Sequence, residues 1–241
     1  MTTAELQRNR FTIVNNAVKE VSGGTLFAEP SKLRIEVSLL KGVGRYLFDI
    51  KKEGILNAYE KSLNRNDVFV PSGIGLFVAI QSNENPSTEV LYPYIPVNDG
   101  ENPSIHSVGF LNGDANAIYN GTLEWLIQNG VLLSSFPTER FKKVPQTQGL
   151  FALNSADAAV NEGVQSQWSI EETIDTVIPQ LVVAGTQDHR ITVNFNAEGL
   201  DFAVTEGHTP KLVLYMDGFL VKGGCQYIDG KNAFAGAVGQ W

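Results

Sequence analysis

Apolar and polar positions alternate along much of this chain. LRIEVSLL at 33–40 reads as a strand with one wet face. RYLFDIKK at 45–52 follows across Gly42 and Gly44, which predicts a hairpin. DVFVPSGIGLFVAIQS at 67–82 predicts two strand pieces bent at Pro71-Ser72-Gly73. VLYPYIPV at 90–97, DTVIPQLVVAG at 175–185, RITVNF at 190–195 and LDFAV at 200–204 add further strand-like runs. Helical spacing is confined to short pieces. Thr2 and Glu5 have the spacing of a capping box and predict a short helix that must lean on another surface. Ile55, Tyr59 and Leu63 form one stripe within 53–63, and NSADAAVNEGVQ at 154–165 is a third helical candidate. The stretch from about residue 90 to about 118, with NPSIHSVGFLNGDANAIYNG at 102–121, reads as a loop-rich excursion.

Turn signals punctuate these runs. Asn-Gly or Asp-Gly steps fall at 99, 112, 120, 129, 217 and 229, and such steps readily take the positive φ angles of a type I′ hairpin turn. LEWLIQNGVLL at 123–133 returns as LVLYMDGFLV at 212–221, so Asn129-Gly130 and Asp217-Gly218 are both expected at hairpin tips. RYLFDIKKEGIL at 45–56 is echoed in the same way by RITVNFNAEGLD at 190–201. The echoes suggest a β unit built twice, with the basic, proline-bracketed FPTERFKKVPQTQG at 136–149 as its junction. No βαβ alternation is present, so the expected class is mainly antiparallel all-β, as two jelly rolls or one large sandwich.

Composition narrows the partners. The formal net charge is −8, which argues against a dedicated nucleic-acid binder. Charged residues make up only 18%, and nineteen asparagines outnumber all the lysines and arginines together. A surface with few long charged side chains suits a protein that lies against neighbours. The single cysteine, Cys225, cannot form an intrachain disulfide, which fits folding in a reducing cytoplasm. No signal peptide or membrane-spanning run is read in the sequence; the longest uncharged apolar stretch, 68–80, is broken by Pro71, Gly73 and Gly75.

Catalytic patterns do not stand out. His106, His189 and His208 each lie alone in their segments, and Asp188-His189 falls short of the HxH pattern of a cupin-like metal site. There is no GxSxG elbow, P-loop or GxGxxG. Glu171-Glu172 are adjacent and point apart, and NDGEN at 98–102 reads as a plain turn rather than a calcium loop. No cofactor or metal is expected. Two rivals stand beside a structural protein. One is a spike, fibre or lectin-like sandwich gripping a glycan through Tyr92, Tyr94 and Tyr119. The other is a β-sandwich hydrolase with a carboxylate pair distant in sequence.

NDVFVPSGIGLFVAI at 66–80, NGTLEWLIQNGVLLSSFPTERFKKVPQTQ at 120–148 and KLVLYMDGFLVKGG at 211–224 carry a resemblance. In these stretches the chain resembles the double-jelly-roll major capsid proteins of the adenovirus-hexon lineage, especially those of small lipid-containing phages of Flavobacterium and its relatives. The resemblance implies two jelly-roll sandwiches in tandem with a few short helices. It divides the chain into an N-terminal arm at 1–24, a first roll at 25–140, a connector and second roll at 141–225 and a tail at 226–241. It further implies a non-enzymatic role in the virion. A homotrimer would form a pseudo-hexameric capsomer, tile an icosahedral shell and meet other capsid proteins such as a penton over an internal membrane. In that setting Arg8, Arg10 and Lys19 would face anionic lipid on the inner side, or else acidic groups of neighbouring subunits. Should the second half fall short of eight strands, a single-barrel capsid or spike protein becomes the better fit.

Overall fold

The computed structural model describes residues 3–51, 59–87, 89–93, 113–128, 130–143, 146–147, 166–167, 173–177, 181–195 and 206–228. The first element is α1, Thr3–Val21, and the strands that follow alternate between two sheets. β1 (Glu29–Ser38), β12 (His208–Val221), β3 (Val68–Ser82) and β10 (Val183–Ala184) lie side by side in that order. Two short strands, β4 (Glu89–Tyr92) and β9 (Asp175–Thr176), also pair with β3 and complete this larger sheet. The facing sheet runs β2 (Arg45–Phe48), β11 (His189–Asn194), β5 (Thr122–Ile127), β6 (Gly130–Pro137). β7 (Gln146–Thr147) and β8 (Ser166–Gln167) form a separate pair. Every registered pairing is antiparallel.

Strand alternation builds the core. Leu33 and Ile35 of β1, Leu212 and Leu214 of β12, and Leu76 and Val78 of β3 point inward from the larger sheet. Tyr46, Phe48, Ile191, Val193, Leu123 and Trp125 meet them from the smaller one. Leaving aside β4 and β9, which pair with β3 off this path, and the separate β7–β8 pair, the eight strands of the two sheets are β1, β2, β3, β5, β6, β10, β11 and β12 in chain order. The first, eighth, third and sixth of these share one sheet, and the second, seventh, fourth and fifth share the other. That order is the double Greek key of a jelly roll.

Among the described residues the strands do not divide at the boundary expected for two tandem rolls. β1 and β3, from the span 25–140, are joined through β12, from the span 141–225. β11 likewise sits between β2 and β5. The described strands on either side of residue 140 therefore interleave in one sandwich and share one core. Two of the predicted hairpins dissolve for the same reason. β1 and β2 belong to different sheets, with Gly42 at φ 75° in the arch between them. The Tyr46 hydroxyl closes that arch by donating to Leu40 O at 2.9 Å and accepting from Leu40 N at 3.1 Å. Asp217-Gly218 lies mid-strand in β12 rather than at a tip. The hairpin expected near Asn129-Gly130 does join β5 to β6, but Gly130 already pairs with Ile127 and the positive φ falls on Gln128, at 52°.

The two Gly-containing sites in the middle of the larger sheet explain each other. Between Asp217 and Gly218 the register jumps from Gly73 to Pro71, so Ser72 is the extra residue of a β-bulge in β3. The predicted bend at Pro71-Ser72-Gly73 is thus realised inside one continuous strand. A Cβ on Gly218 would run into Val70 O and the Phe69 ring, so close backbone approach excludes larger residues there. β3 itself is buried on both faces from Val68 to Ile80, as its uncharged and largely apolar run suits.

The N-terminal arm is helical for about five turns. Glu5 in its first turn and Lys19 in its last oppose the helix dipole favourably. Val14, Ala17 and Val18 bury one stripe on the outer face of the larger sheet, against Val68, Val70, Ala184, Phe219 and Val221. Gly23 and Gly24, at φ 62° and 84°, turn the chain out of the helix, with Gly24 N–H donating to Lys19 O at 2.7 Å. The helical candidate at 53–63 lies mostly outside the described residues; its end is extended, with Lys61 bridging to Arg34. The helical candidate at 154–165 and the strand candidate at 200–204 lie outside the described residues.

Candidate functional site

The outer face of the larger sheet carries the clustered polar chemistry, in three zones set by strand parity and by α1. At one end the helix covers Val68, Val70, Phe219 and Val221. At the other, Phe77, Ala79, Val213 and Tyr215 form a small apolar cluster with Leu91 and Ile174 packed on it. Phe77 and Tyr215 meet edge to face with ring centroids 6.3 Å apart. Between the two zones the sheet presents Ser31, Ser72, Gly73 and Gly218, which are too small to fill the space. A groove of about 610 Å³ opens there. Gln7, Arg8 and Phe11 of α1 form one wall, Ile174 and Thr176 the opposite side, and Pro30, Asp217 and Phe219 complete the lining. Phe11 and Phe219 stack at a tilt of 54° with centroids 5.6 Å apart, which fixes the aromatic corner.

Arg10 secures the helix over this groove. It is 8% exposed, and its Nη1 donates to the carbonyl of the bulged Ser72 at 2.8 Å. The same carbonyl accepts Val177 N–H at 3.2 Å, and Ser72 Oγ donates to Asp217 O at 3.2 Å. Burial pushes the guanidinium below its ordinary range. Of the three cations expected on an inner surface, Arg10 is therefore turned into its own subunit. Arg8 is exposed, and Lys19 is half-buried with Nζ 5.2 Å from the Phe27 ring centroid. Eleven positions apart, those two lie on nearly the same side of the helix, facing away from Arg10.

Beyond the apolar cluster, four ionic side chains bridge the sheet. Lys211 Nζ donates to Glu36 Oε2 at 2.9 Å and to Glu89 Oε2 at 3.3 Å, while Arg34 pairs with both Glu36 and Glu89. Their side chains are at most 10% exposed. Ala79 stands opposite Lys211 on β3 and leaves room for the link. Tyr59 lies over the Arg34 guanidinium at 5.2 Å, and Glu60 Oε1 accepts Glu36 N–H at 3.2 Å. The network ties β1, β12 and the short β4 together. Enclosed to this degree, both carboxylates pair with cations of the same sheet rather than with solvent.

The histidines and tyrosines resolve separately. His189 is half-buried, with Nε2 2.9 Å from Ala184 O and its ring edge-on to the fully buried Trp125. Burial depresses its pKa below the ordinary 6.5. His208 starts β12, 3.2 Å from Glu206 O, well apart from His189 in the sheets. His106, Glu171-Glu172, the 98–102 turn and Tyr94 lie outside the described residues. Among the described residues, no three His, Cys, Asp or Glu side chains gather as metal ligands. Tyr119 is fully buried and donates to Tyr92 O at 2.9 Å, and Tyr92 is half-buried against the core, so these two do not form an exposed stacking platform. Cys225 Sγ donates to Asp67 O at 3.1 Å beside a short 3-10 turn.

Neither the groove nor the ionic network is announced by any local sequence pattern. Arg34, Glu36, Glu89 and Lys211 are scattered over the chain, and only the strand order brings them together. No helix among the described residues is long and apolar enough to cross a membrane. Compared with known proteins, the chain matches no family model, no curated protein and no solved structure.

Proposed function

We propose that this chain is a structural subunit of a virus-type shell, using one jelly roll per chain. Jelly rolls serve recurrently as capsid subunits, with lectins and cupins as the other common users. The observation that carries the reading is the placement of exposed apolar side chains. Phe27 is 61% exposed just before β1, and Leu40 is 57% exposed just after it. A ten-residue strand separates them by about 30 Å. Leu47, 55% exposed, points outward from the opposite sheet, between the inward Tyr46 and Phe48. One two-fold contact would not be expected to cover side chains spread over both ends of β1 and the opposite sheet. Exposed apolar side chains distributed in this way suit a lattice in which each copy meets several others, where modest contacts multiply.

One roll per chain changes the assembly arithmetic. A tile of pseudo-six-fold outline made from three chains needs two rolls in each, so a six-cornered tile here takes six chains. A five-fold vertex protein or a spike base is built equally well from the same unit. Lys19, on the outward side of α1, is the cation this reading turns toward interior lipid or neighbouring acidic groups, while Arg8 borders the groove.

Electron microscopy of the purified chain tests the proposal. Ring-shaped capsomers or closed particles are expected as concentration rises. A preparation that stays a dispersed monomer at every concentration, salt and pH tried would reject it.

A further inference from the structure

We propose that the groove between α1 and the bulged centre of the larger sheet binds a short saccharide. The inference stands apart from the shell reading, because it concerns a single chain. The groove's volume of about 610 Å³ lies inside the range of roughly 300–1,000 Å³ common to small-ligand sites. Its lining alternates two kinds of surface within a few ångströms. Phe11, Phe219 and Pro30 supply apolar faces, while Gln7, Arg8, Thr176 and Asp217 bring polar side chains around them. A sugar ring has the matching character, with C–H faces and a rim of hydroxyls. The Arg8 guanidinium presents a fork of donors, and the Asp217 carboxylate, which also holds the Tyr215 hydroxyl, adds acceptor capacity for a sugar hydroxyl.

Other ligand classes fit less well. A fatty chain would leave Gln7, Arg8, Thr176 and Asp217 desolvated and unpaired with it. A polyphosphate or nucleic acid would find one cation, Arg8, opposed by Asp217, in a chain of net charge −8. An extended peptide gains most of its affinity by pairing with a strand edge, whereas the floor here is the face of a sheet. The groove is also held open by structure rather than by chance packing. The Ser72 bulge recesses its floor, and the buried Arg10 pins the helix at its side.

Saturation-transfer NMR on the whole chain tests the site with four probes: maltose, lactose, N,N′-diacetylchitobiose and 3′-sialyllactose. Together these present axial and equatorial hydroxyls, N-acetyl groups and a carboxylate. At least one is expected to receive saturation from the wild type. Thr176→Trp, which places an indole in the groove from an exposed position, should abolish that signal. Arg8→Ala, on the exposed side of α1, should weaken binding by about tenfold, one good hydrogen-bonded contact's worth. Circular dichroism and the unfolding midpoint establish that both variants fold. Absence of signal from all four probes overturns the proposal, as does a signal that survives in folded Thr176→Trp. Electron microscopy of assembly is indifferent to either result, so the two readings fail separately.

Discussion

Arg8 and Arg10 stand two positions apart on one helix and meet opposite environments. Arg10 is enclosed and holds the Ser72 carbonyl, while Arg8 faces solvent at the groove. Arg10→Met is expected to lose about 2 kcal/mol of stability in urea unfolding, the usual worth of a buried charged hydrogen bond. Arg8→Gln should stay within about 0.5 kcal/mol of wild type. Equal effects would contradict the assignment of Arg10 to the bulge. Lys211 is the centre of the ionic network, and Lys211→Met leaves Glu36 and Glu89 enclosed with less compensation. A loss of about 3–5 kcal/mol is expected by the same measurement. His189 has a folded pKa pushed below the ordinary 6.5, with Lys51 and Asp188 as its charged neighbours. Below about 6.5 the unfolded chain takes up a proton that the folded chain resists. This contribution to stability is therefore whole above that pH and shrinks as pH falls toward the depressed value. Urea midpoints at pH 7.5 and pH 5 should differ less in His189→Gln than in wild type, and an unchanged difference would refute the assignment.

Among the elements, those whose sequence pattern states their own burial were legible. The antiparallel character and a hairpin close to Asn129-Gly130 are present in the fold, and β1 is a strand, but its polar face is not wet because Arg34 and Glu36 are buried in the ionic network. β12 was misread because Asp-Gly carries a turn signal that a bulged central strand also accommodates. Only the backbone of Val70, distant in sequence, shows that Gly218 is needed for close approach rather than for a turn. Gly218→Ala should therefore cost about 1–3 kcal/mol by overpacking, with the groove floor disturbed. Thermal unfolding of that variant with an unshifted midpoint would show that the strand has room the structure does not show. α1 was foreseen only as a short segment in need of support. Its length depends on a stripe of Val14, Ala17 and Val18 whose partners come from β3, β10 and β12, and no local pattern announces them. The groove was invisible for the same reason, since it is a gap left by small residues on three strands far apart in sequence.

At the scale of the whole molecule, the repeated motifs in the sequence pointed to duplication, and the strand order shows interleaving instead. β1 and β3 close through β12, so a fragment ending near residue 140 lacks the strand between them. Residues 1–140 expressed alone should give the collapsed amide spectrum of an unfolded chain; a dispersed spectrum would favour independent rolls. Phe27 and Leu40 lie just beyond the two ends of β1 and Leu47 lies on β2 of the other sheet, so these exposed side chains do not share one element. Sedimentation velocity over a concentration series tests the resulting account most directly, comparing wild type with Phe27→Ser/Leu40→Ser/Leu47→Ser. The wild type is expected to shift to large assemblies with rising concentration while the triple variant, folded by circular dichroism, sediments as a monomer. Identical sedimentation of the two, as monomers or as the same assemblies, would contradict it.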